Sequence, residues 1–167
     1  MPSRPSRATF STQWAETMWQ LAQINIARFM RDKDDPANSG FMDALDRVNS
    51  LADAAPGFVW RLIGDGNDAT DIEVVPGDPR LIVNMSVWED VASLEAFAYR
   101  QSNHLEIMRQ RKQWFETISP AVALWWVKAG HQPSVAEGMA RLETLKNCGS
   151  GPESFTFRTP FPPPTAG

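Results

Sequence analysis

The chain has 167 residues, a formal net charge of −4 and 43% hydrophobic residues, which predicts one domain with a sizeable core and argues against nucleic acid as a partner. Its single cysteine, Cys148, excludes an intramolecular disulfide and fits a reducing compartment. No apolar run approaches the roughly 20 residues that span a bilayer, and the first residues lack the apolar region of a signal peptide, so we expect a cytoplasmic protein without a membrane partner.

Patterns of apolar residues divide the chain into three parts: a flexible arm (1–17), a domain (18–149) and an aromatic, proline-rich tail (150–167) that packs on the domain. Alternating segments predict strands, and segments with apolar residues three or four apart predict helices. In chain order we predict a strand at 19–29, a helix at 41–55, strands at 57–64 and 81–88, helical segments at 90–100 and 103–117, a strand at 121–129 and a helix at 134–147.

The order β-α-β-β-α-β predicts an α+β fold of the ferredoxin-like, split βαβ type. This fold has a four-stranded antiparallel sheet with helices on one face, here with an extra C-terminal helix and tail. The third strand is apolar in both phases, with Leu81, Val83 and Met85 in one and Ile82 and Trp88 in the other. A sheet that is apolar on both faces should be covered on both. Since two-fold homodimers are the commonest oligomers, we expect a homodimer whose two sheets face each other.

The segment 103–117 predicts a helix whose apolar stripe also carries charge. Asn103 followed by Glu106 is typical of a capping box, which places His104 in the first turn. The helix dipole favours a neutral imidazole there, and a neutral imidazole can act as a base or a ligand. Arg111 lies seven residues later on the same stripe. We therefore predict that His104 and Arg111 line one cavity between helix and sheet; the alternative is that both are solvated surface residues.

Polar residues also interrupt the predicted strands. Asn25 interrupts the first strand, and Asn84 and Ser86 interrupt the third in phase with Trp88. Inside a sheet covered on both faces such side chains need partners. We interpret them as part of a ligand site; the alternatives are a strand edge open to water and a polar pair across a dimer. The predicted site has catalytic His104, Arg111 and Asn25, and ligand-binding Trp88, Asn84, Ser86, Met108 and Trp114.

Two stretches resemble a known superfamily. "SVWEDVASLEAF" (86–97) is similar to the strand-to-helix signature of the dimeric α+β barrels, which include antibiotic-biosynthesis and haem-degrading monooxygenases. The longer C-terminal pattern, from "LWWVKAGHQPSVAEGMARLETL" to "FTFR", resembles a bacterial branch known as a domain of unknown function. In the haem-degrading relatives an asparagine on the first strand, a tryptophan ending the third and a histidine on the next helix act together. Asn25, Trp88 and His104 occupy similar places.

The resemblance implies a small-molecule enzyme of the antibiotic-biosynthesis-monooxygenase type. It would oxygenate or rearrange, without a cofactor, a small aromatic or polyketide-like compound, with His104 as the base and Arg111 and Asn25 holding a developing oxyanion. The second function class is a dimer that binds haem or a small apolar ligand without turnover. No cofactor is expected in the first case; haem, if bound, would use His104. We expect no other metal site, because two distant histidines and one cysteine lack zinc-ligand spacing.

Overall fold

Strands and helices follow the predicted order in the residues that the computed structural model describes, 18–100 and 110–165. The strands are β1 (Trp19–Arg28), β2 (Phe58–Arg61), β3 (Leu81–Trp88) and β4 (Val122–Lys128). The helices are α1 (Ser39–Asp53), α2 (Val91–Arg100) and α3 (Val135–Cys148), and a short helical turn covers 110–114. The predictions for His104 and Met108 fall outside the described residues.

The four strands form one antiparallel sheet in the order β2-β3-β1-β4. This is the strand order of the split βαβ arrangement, so the predicted ferredoxin-like α+β fold is confirmed. No helix within the described ranges is long and apolar enough to cross a membrane.

Strand alternation gives the sheet two faces with different covers. The cavity face carries Leu21, Gln23 and Asn25 of β1 and their partners across the strand pair, Trp88, Ser86 and Asn84 of β3. The α3 face carries the residues of the other phase, among them Ile24 and Met85, which lie opposite each other. Buried apolar residues occupy both phases of the strands, as the sequence pattern predicted. They lie on opposite faces because successive side chains of a strand point to opposite faces.

Helix α3 covers the face on which we expected a second copy of the chain. Leu142 and Leu145 of α3 join Ile24, Met85 and Trp125 in one buried cluster, and Ala69 from the β2–β3 connection closes the same cluster. Helix and sheet approach so closely that a Cβ atom on Gly138 would lie 2.7 Å from Ile24 Cδ1. Helices therefore lie on both faces of the sheet. In the described residues α3, and not a second copy of the chain, covers this apolar face, and the homodimer itself stays a prediction.

The ends of α3 follow the predicted signals. Ser134 Oγ accepts a hydrogen bond from the backbone N–H of Glu137 at 3.1 Å, and the helix ends at Gly149, whose φ is 70°. The carboxylate of Glu137 also accepts a hydrogen bond from Trp125 Nε1 at 3.1 Å and bonds His131 Nε2 at 2.7 Å. These contacts fix the first turn of α3 to the sheet, so the role of His131 in this structure is to hold Glu137.

The tail lies against the edge strand β4. Phe155 and Leu124 exchange both backbone hydrogen bonds at 2.9 Å, and Trp126 Nε1 donates to the carbonyl of Phe161 at 2.9 Å. The side chain of Phe155 is fully buried beside Leu21 and Trp88. The tail is thus part of the cover of the cavity face.

Candidate functional site

A cavity of about 530 Å³ lies between the cavity face of the sheet and helices α1 and α2. Most of its wall is apolar, as in typical sites for small molecules. Leu45 and Val48 contribute from α1, Leu94 and Phe97 from α2, and Phe157 from the tail. The wall is built this way because α1 and α2 both turn their apolar stripes toward the sheet.

The floor of this cavity carries a hydrogen-bonded polar row, which we define as Gln23, Asn84, Ser86 and Trp88. Gln23 Nε2 donates to Asn84 Oδ1 at 2.7 Å and to Ser86 Oγ at 2.9 Å. Trp88 Nε1 donates to the same Ser86 Oγ at 2.8 Å. Gln23, Ser86 and Trp88 are buried, whereas Asn84 is exposed to the open part of the cavity. Hydrogen bonds between its own members therefore fix the row, and the exposed side of Asn84 keeps it accessible from the cavity.

Strand register explains why these four side chains meet. Gln23 lies directly opposite Ser86 across the β1–β3 pair, and Leu21 lies opposite Trp88. Residues two apart on one strand share a face, and opposite residues on paired strands approach closely on that face. Phe58 and Phe97 hold the indole ring of Trp88 from two sides, at ring-centre distances of 5.4 and 5.2 Å. The predicted grouping of Asn84, Ser86 and Trp88 on one face is what the register produces.

Asn25 lies beside the row, opposite Asn84, and also lines the cavity. Its Oδ1 atom is buried and has no hydrogen-bond partner among the described residues. A buried polar atom without a partner costs about 1–3 kcal/mol, and such exceptions in a folded protein call for an explanation. Because Oδ1 is closed off, Nδ2 is the amide atom of Asn25 that remains for a molecule in the cavity.

Arg111 reaches the cavity from the helical turn at 110–114. Its guanidinium lies 5.9 Å from the ring centre of Phe115, a cation–π distance. Burial lowers the pKa of Arg111 below its ordinary value, although an arginine remains charged at neutral pH. Arg111 thus places positive charge on the cavity wall, and its predicted pairing with His104 stays a prediction.

Trp114, the remaining predicted ligand-binding residue, lies elsewhere. It is buried in a cluster with Phe29, Ile82 and Phe115, and its Nε1 donates to the carbonyl of Ala37 at 3.1 Å. It is not among the residues that line the cavity. Trp114 therefore packs the segment that leads into α1 against the sheet and is not part of the candidate site.

Two cavity residues escaped the sequence analysis although the sequence carries their signal. Gln23 stands in the same strand phase as Asn25. Asn49 stands four residues after Leu45, on the apolar stripe of α1. Asn49 is 5% exposed, lines the cavity and makes no side-chain hydrogen bond to a described residue. A polar residue on an apolar stripe was the signal that selected His104, and it applies equally to Asn49.

Arg61 is a third lining residue that the sequence analysis passed over. Its side chain is 6% exposed and forms an ion pair with Asp53, with Nε and Oδ1 2.7 Å apart. Its Nη1 donates to the carbonyl of Asn67 at 2.7 Å. Because its guanidinium is already bonded to Asp53 and Asn67, Arg61 links α1 to β2 at the cavity wall.

The described lining offers neither a metal site nor a haem ligand set. No group of three or more His, Cys, Asp or Glu side chains in the described part of the chain could hold a metal ion. Of the side-chain types that ligate haem iron, the described lining contains only Tyr99. Tyr99 is 67% exposed, and its ring packs against Phe157 at 6.3 Å. These residues do not fit haem, and haem ligation by His104 stays a prediction.

Comparison with known proteins gives a family but no reaction. A family model described as a domain of unknown function, DUF3291, matches residues 20–167. This match confirms the expected domain-of-unknown-function branch. No curated protein matches the sequence.

Solved structures that resemble the chain are distant. A protein of unknown function from Nitrosomonas europaea is 15% identical, with a TM-score of 0.45 over 71% of this chain and 98% of that one. SnoaB, a cofactor-independent oxygenase from Streptomyces nogalater, is 14% identical, with a TM-score of 0.43 over 68% of this chain and 95% of that one. A Pseudomonas aeruginosa protein is 14% identical, with a TM-score of 0.46 over 69% of this chain and 98% of that one.

Proposed function

Because this chain belongs to the DUF3291 family, whose description names no reaction, we propose a function from the cavity itself. The cavity binds a small aromatic or polyketide-like compound and promotes its oxygenation or cofactor-free rearrangement. The observation that carries this proposal is the polar row on the floor of an otherwise mostly apolar cavity. An apolar wall takes the body of such a ligand, and a few fixed polar groups orient it.

The chemistry that suits this site is the formation of an oxyanion. Asn84, Ser86 and Asn25 offer hydrogen-bond donors, and Arg111 adds positive charge. Preorganised donors aimed at developing negative charge are often the largest contribution to catalysis. A phenol that loses its proton here would have its phenolate stabilised. Molecular oxygen then gives one atom to a ring C–H position, which becomes the second quinone carbonyl. The other oxygen atom leaves as water with the hydrogens of the phenol O–H and of that C–H, so the substrate supplies all the electrons and no external reductant is required.

Proton removal needs a base, and the described lining contains one carboxylate, that of Asp68. Its Oδ1 accepts hydrogen bonds from the backbone N–H and the hydroxyl of Thr70 at 2.8 and 2.6 Å, which leaves Oδ2 without a described partner. His104 is our proposed base on the strength of the sequence alone. The polar row and the apolar wall equally support the second candidate function, in which the cavity holds the same kind of ligand without turnover, because binding alone needs no base.

Filling the cavity should abolish ligand binding. Ala44 of α1 lines the cavity, so Ala44→Phe places a ring in the space that the ligand needs. We expect 9-phenanthrol to quench the tryptophan fluorescence of the wild type saturably and not that of Ala44→Phe. The matched control is Ala136→Phe, at an exposed position of α3 on the other side of the sheet, which should bind like the wild type. Equal binding by Ala44→Phe would contradict the proposed site.

Oxygen uptake then separates the two candidate functions. An enzyme should consume dissolved oxygen with 9-phenanthrol or release a rearranged product, and His104→Ala should abolish this while leaving binding in place. Binding without uptake or product, across a panel of polycyclic phenols, would favour the non-catalytic function.

A further inference from the structure

The buried amide of Gln23 uses both of its protons inside the polar row. One goes to Asn84 Oδ1 at 2.7 Å and the other to Ser86 Oγ at 2.9 Å. Ser86 Oγ also receives the indole proton of Trp88 at 2.8 Å. A hydroxyl oxygen has two acceptor lone pairs and one proton to donate. Both acceptor positions of Ser86 are therefore filled by the protein, and its proton is left over.

The atoms left for a ligand are mostly donors. They are the hydroxyl proton of Ser86 and the amide protons on Nδ2 of Asn84 and of Asn25, none of which is donated to a described residue. The acceptor of Asn25 is closed off by burial. The remaining amide acceptor of the row that has no described donor is Gln23 Oε1, which belongs to a residue that is only 8% exposed. A ligand above the row therefore meets more N–H and O–H donors than acceptors.

We propose that the row selects ligands whose edge carries hydrogen-bond acceptor oxygens, such as a ketone, a quinone or a phenolate, and that Gln23 sets this preference. The proposal rests on the proposed function, since it names the ligand class of the same cavity. Gln23 is a positioning residue: it turns Asn84 and Ser86 so that their acceptors point inward and their donors point to the ligand.

Three tricyclic probes of nearly equal shape test the preference. 9-Fluorenone carries a carbonyl acceptor at the apex of its central ring, carbazole carries an N–H donor there, and fluorene carries neither. Titration of the wild-type protein, followed by tryptophan fluorescence, should give 9-fluorenone an affinity about tenfold higher than that of fluorene, the value of one good hydrogen bond. Carbazole should bind no better than fluorene.

Gln23→Glu should reverse this order. A carboxylate only accepts hydrogen bonds, so Ser86 and Asn84 would turn their donors toward residue 23 and leave Asn84 Oδ1 facing the ligand. The advantage of 9-fluorenone should then disappear and carbazole should become the tighter ligand. Gln20→Glu is the matched control, because Gln20 lies on the same strand but in the opposite phase, and it should keep the wild-type order. Gln23→Met, which adds no charge, should lose the preference without reversing it.

The outcomes separate the inference from the proposed function. Equal affinities for the three probes, or tighter binding of carbazole by the wild type, would overturn the donor-facing row and leave the cavity as a binding site. Failure of all three probes to bind would count against the proposed function and the inference together. An unchanged order in both Gln23→Glu and Gln23→Met would overturn the role of Gln23 alone.

Discussion

Replacing Gly138 with leucine is expected to lower the free energy of unfolding by about 3 kcal/mol, at the upper end of what overpacking costs. A Cβ atom at this position would already lie 2.7 Å from Ile24 Cδ1 and 3.1 Å from Met85 Cε. Ile24 and Met85 are both fully buried on the α3 face of the sheet, so neither side chain has solvent to move into. The larger side chain must push α3 off the sheet.

Urea unfolding measures this loss, and light scattering follows its consequence. Displacement of α3 uncovers apolar residues of the sheet, so Gly138→Leu should also form larger assemblies than the wild type at the same concentration. Ala140→Leu is the control, since it adds the same side chain at an exposed position of the same helix. A Gly138→Leu protein as stable as Ala140→Leu would contradict the close packing of α3 on the sheet.

Removing the carboxylate of Asp53 is expected to cost about 2 kcal/mol, because it leaves the buried guanidinium of Arg61 without its charged partner. The figure lies below the usual cost of breaking a buried ion pair because Asp53 is 47% exposed and Arg61 keeps its hydrogen bonds to Asn67. Loss of Asp53 should also loosen the attachment of α1 to β2 at the cavity wall.

A comparison of Asp53→Ala with Arg61→Met tests whether the loss of stability comes from an unpaired buried charge. Replacing the buried charge by an apolar side chain of similar length removes the need for a partner, so Arg61→Met should destabilise the protein less than Asp53→Ala. The double variant should be close to Arg61→Met, since Asp53 then has no cation to neutralise. If urea unfolding showed that Arg61→Met lowers the free energy of unfolding more than Asp53→Ala does, the stabilisation would come from packing of the arginine stem. That result would contradict the prediction.

Strand periodicity was the most informative pattern in the sequence, because a period of two assigns each side chain to a face once the strand is located. The pattern places Asn25, Asn84, Ser86 and Trp88 on one face, where the strand register also puts them. The same rule would have added Gln23.

Contacts between segments distant in sequence were harder to anticipate. The sequence shows the apolar stripe of α3, but no local pattern tells which surface a helix covers. The prediction of a second copy of the chain on the α3 face has this cause. Trp114 follows Arg111 by three residues and was placed in the same site. Its indole nitrogen instead meets the carbonyl of Ala37, 77 positions earlier in the chain, which local spacing cannot reveal.

The proposed function requires that the cavity keeps polar side chains for a ligand rather than for the fold. Two buried asparagines provide a matched pair that tests it. Asn38 is 2% exposed and donates to the carbonyl of Asp32 at 2.9 Å, whereas Asn49 is 5% exposed and has no described partner. Removing a bonded buried group costs stability, and removing one that has no partner restores it.

The most direct measurement is the melting temperature of Asn49→Leu and Asn38→Leu, together with the affinity of each for 9-fluorenone. We expect Asn49→Leu to melt about 3 °C higher than the wild type, the shift expected from roughly 1 kcal/mol, and to bind 9-fluorenone more weakly. Asn38→Leu should melt lower and, where folded, bind with unchanged affinity. A lower melting temperature for Asn49→Leu with unchanged affinity would show that Asn49 stabilises the fold, and would contradict its role in ligand binding.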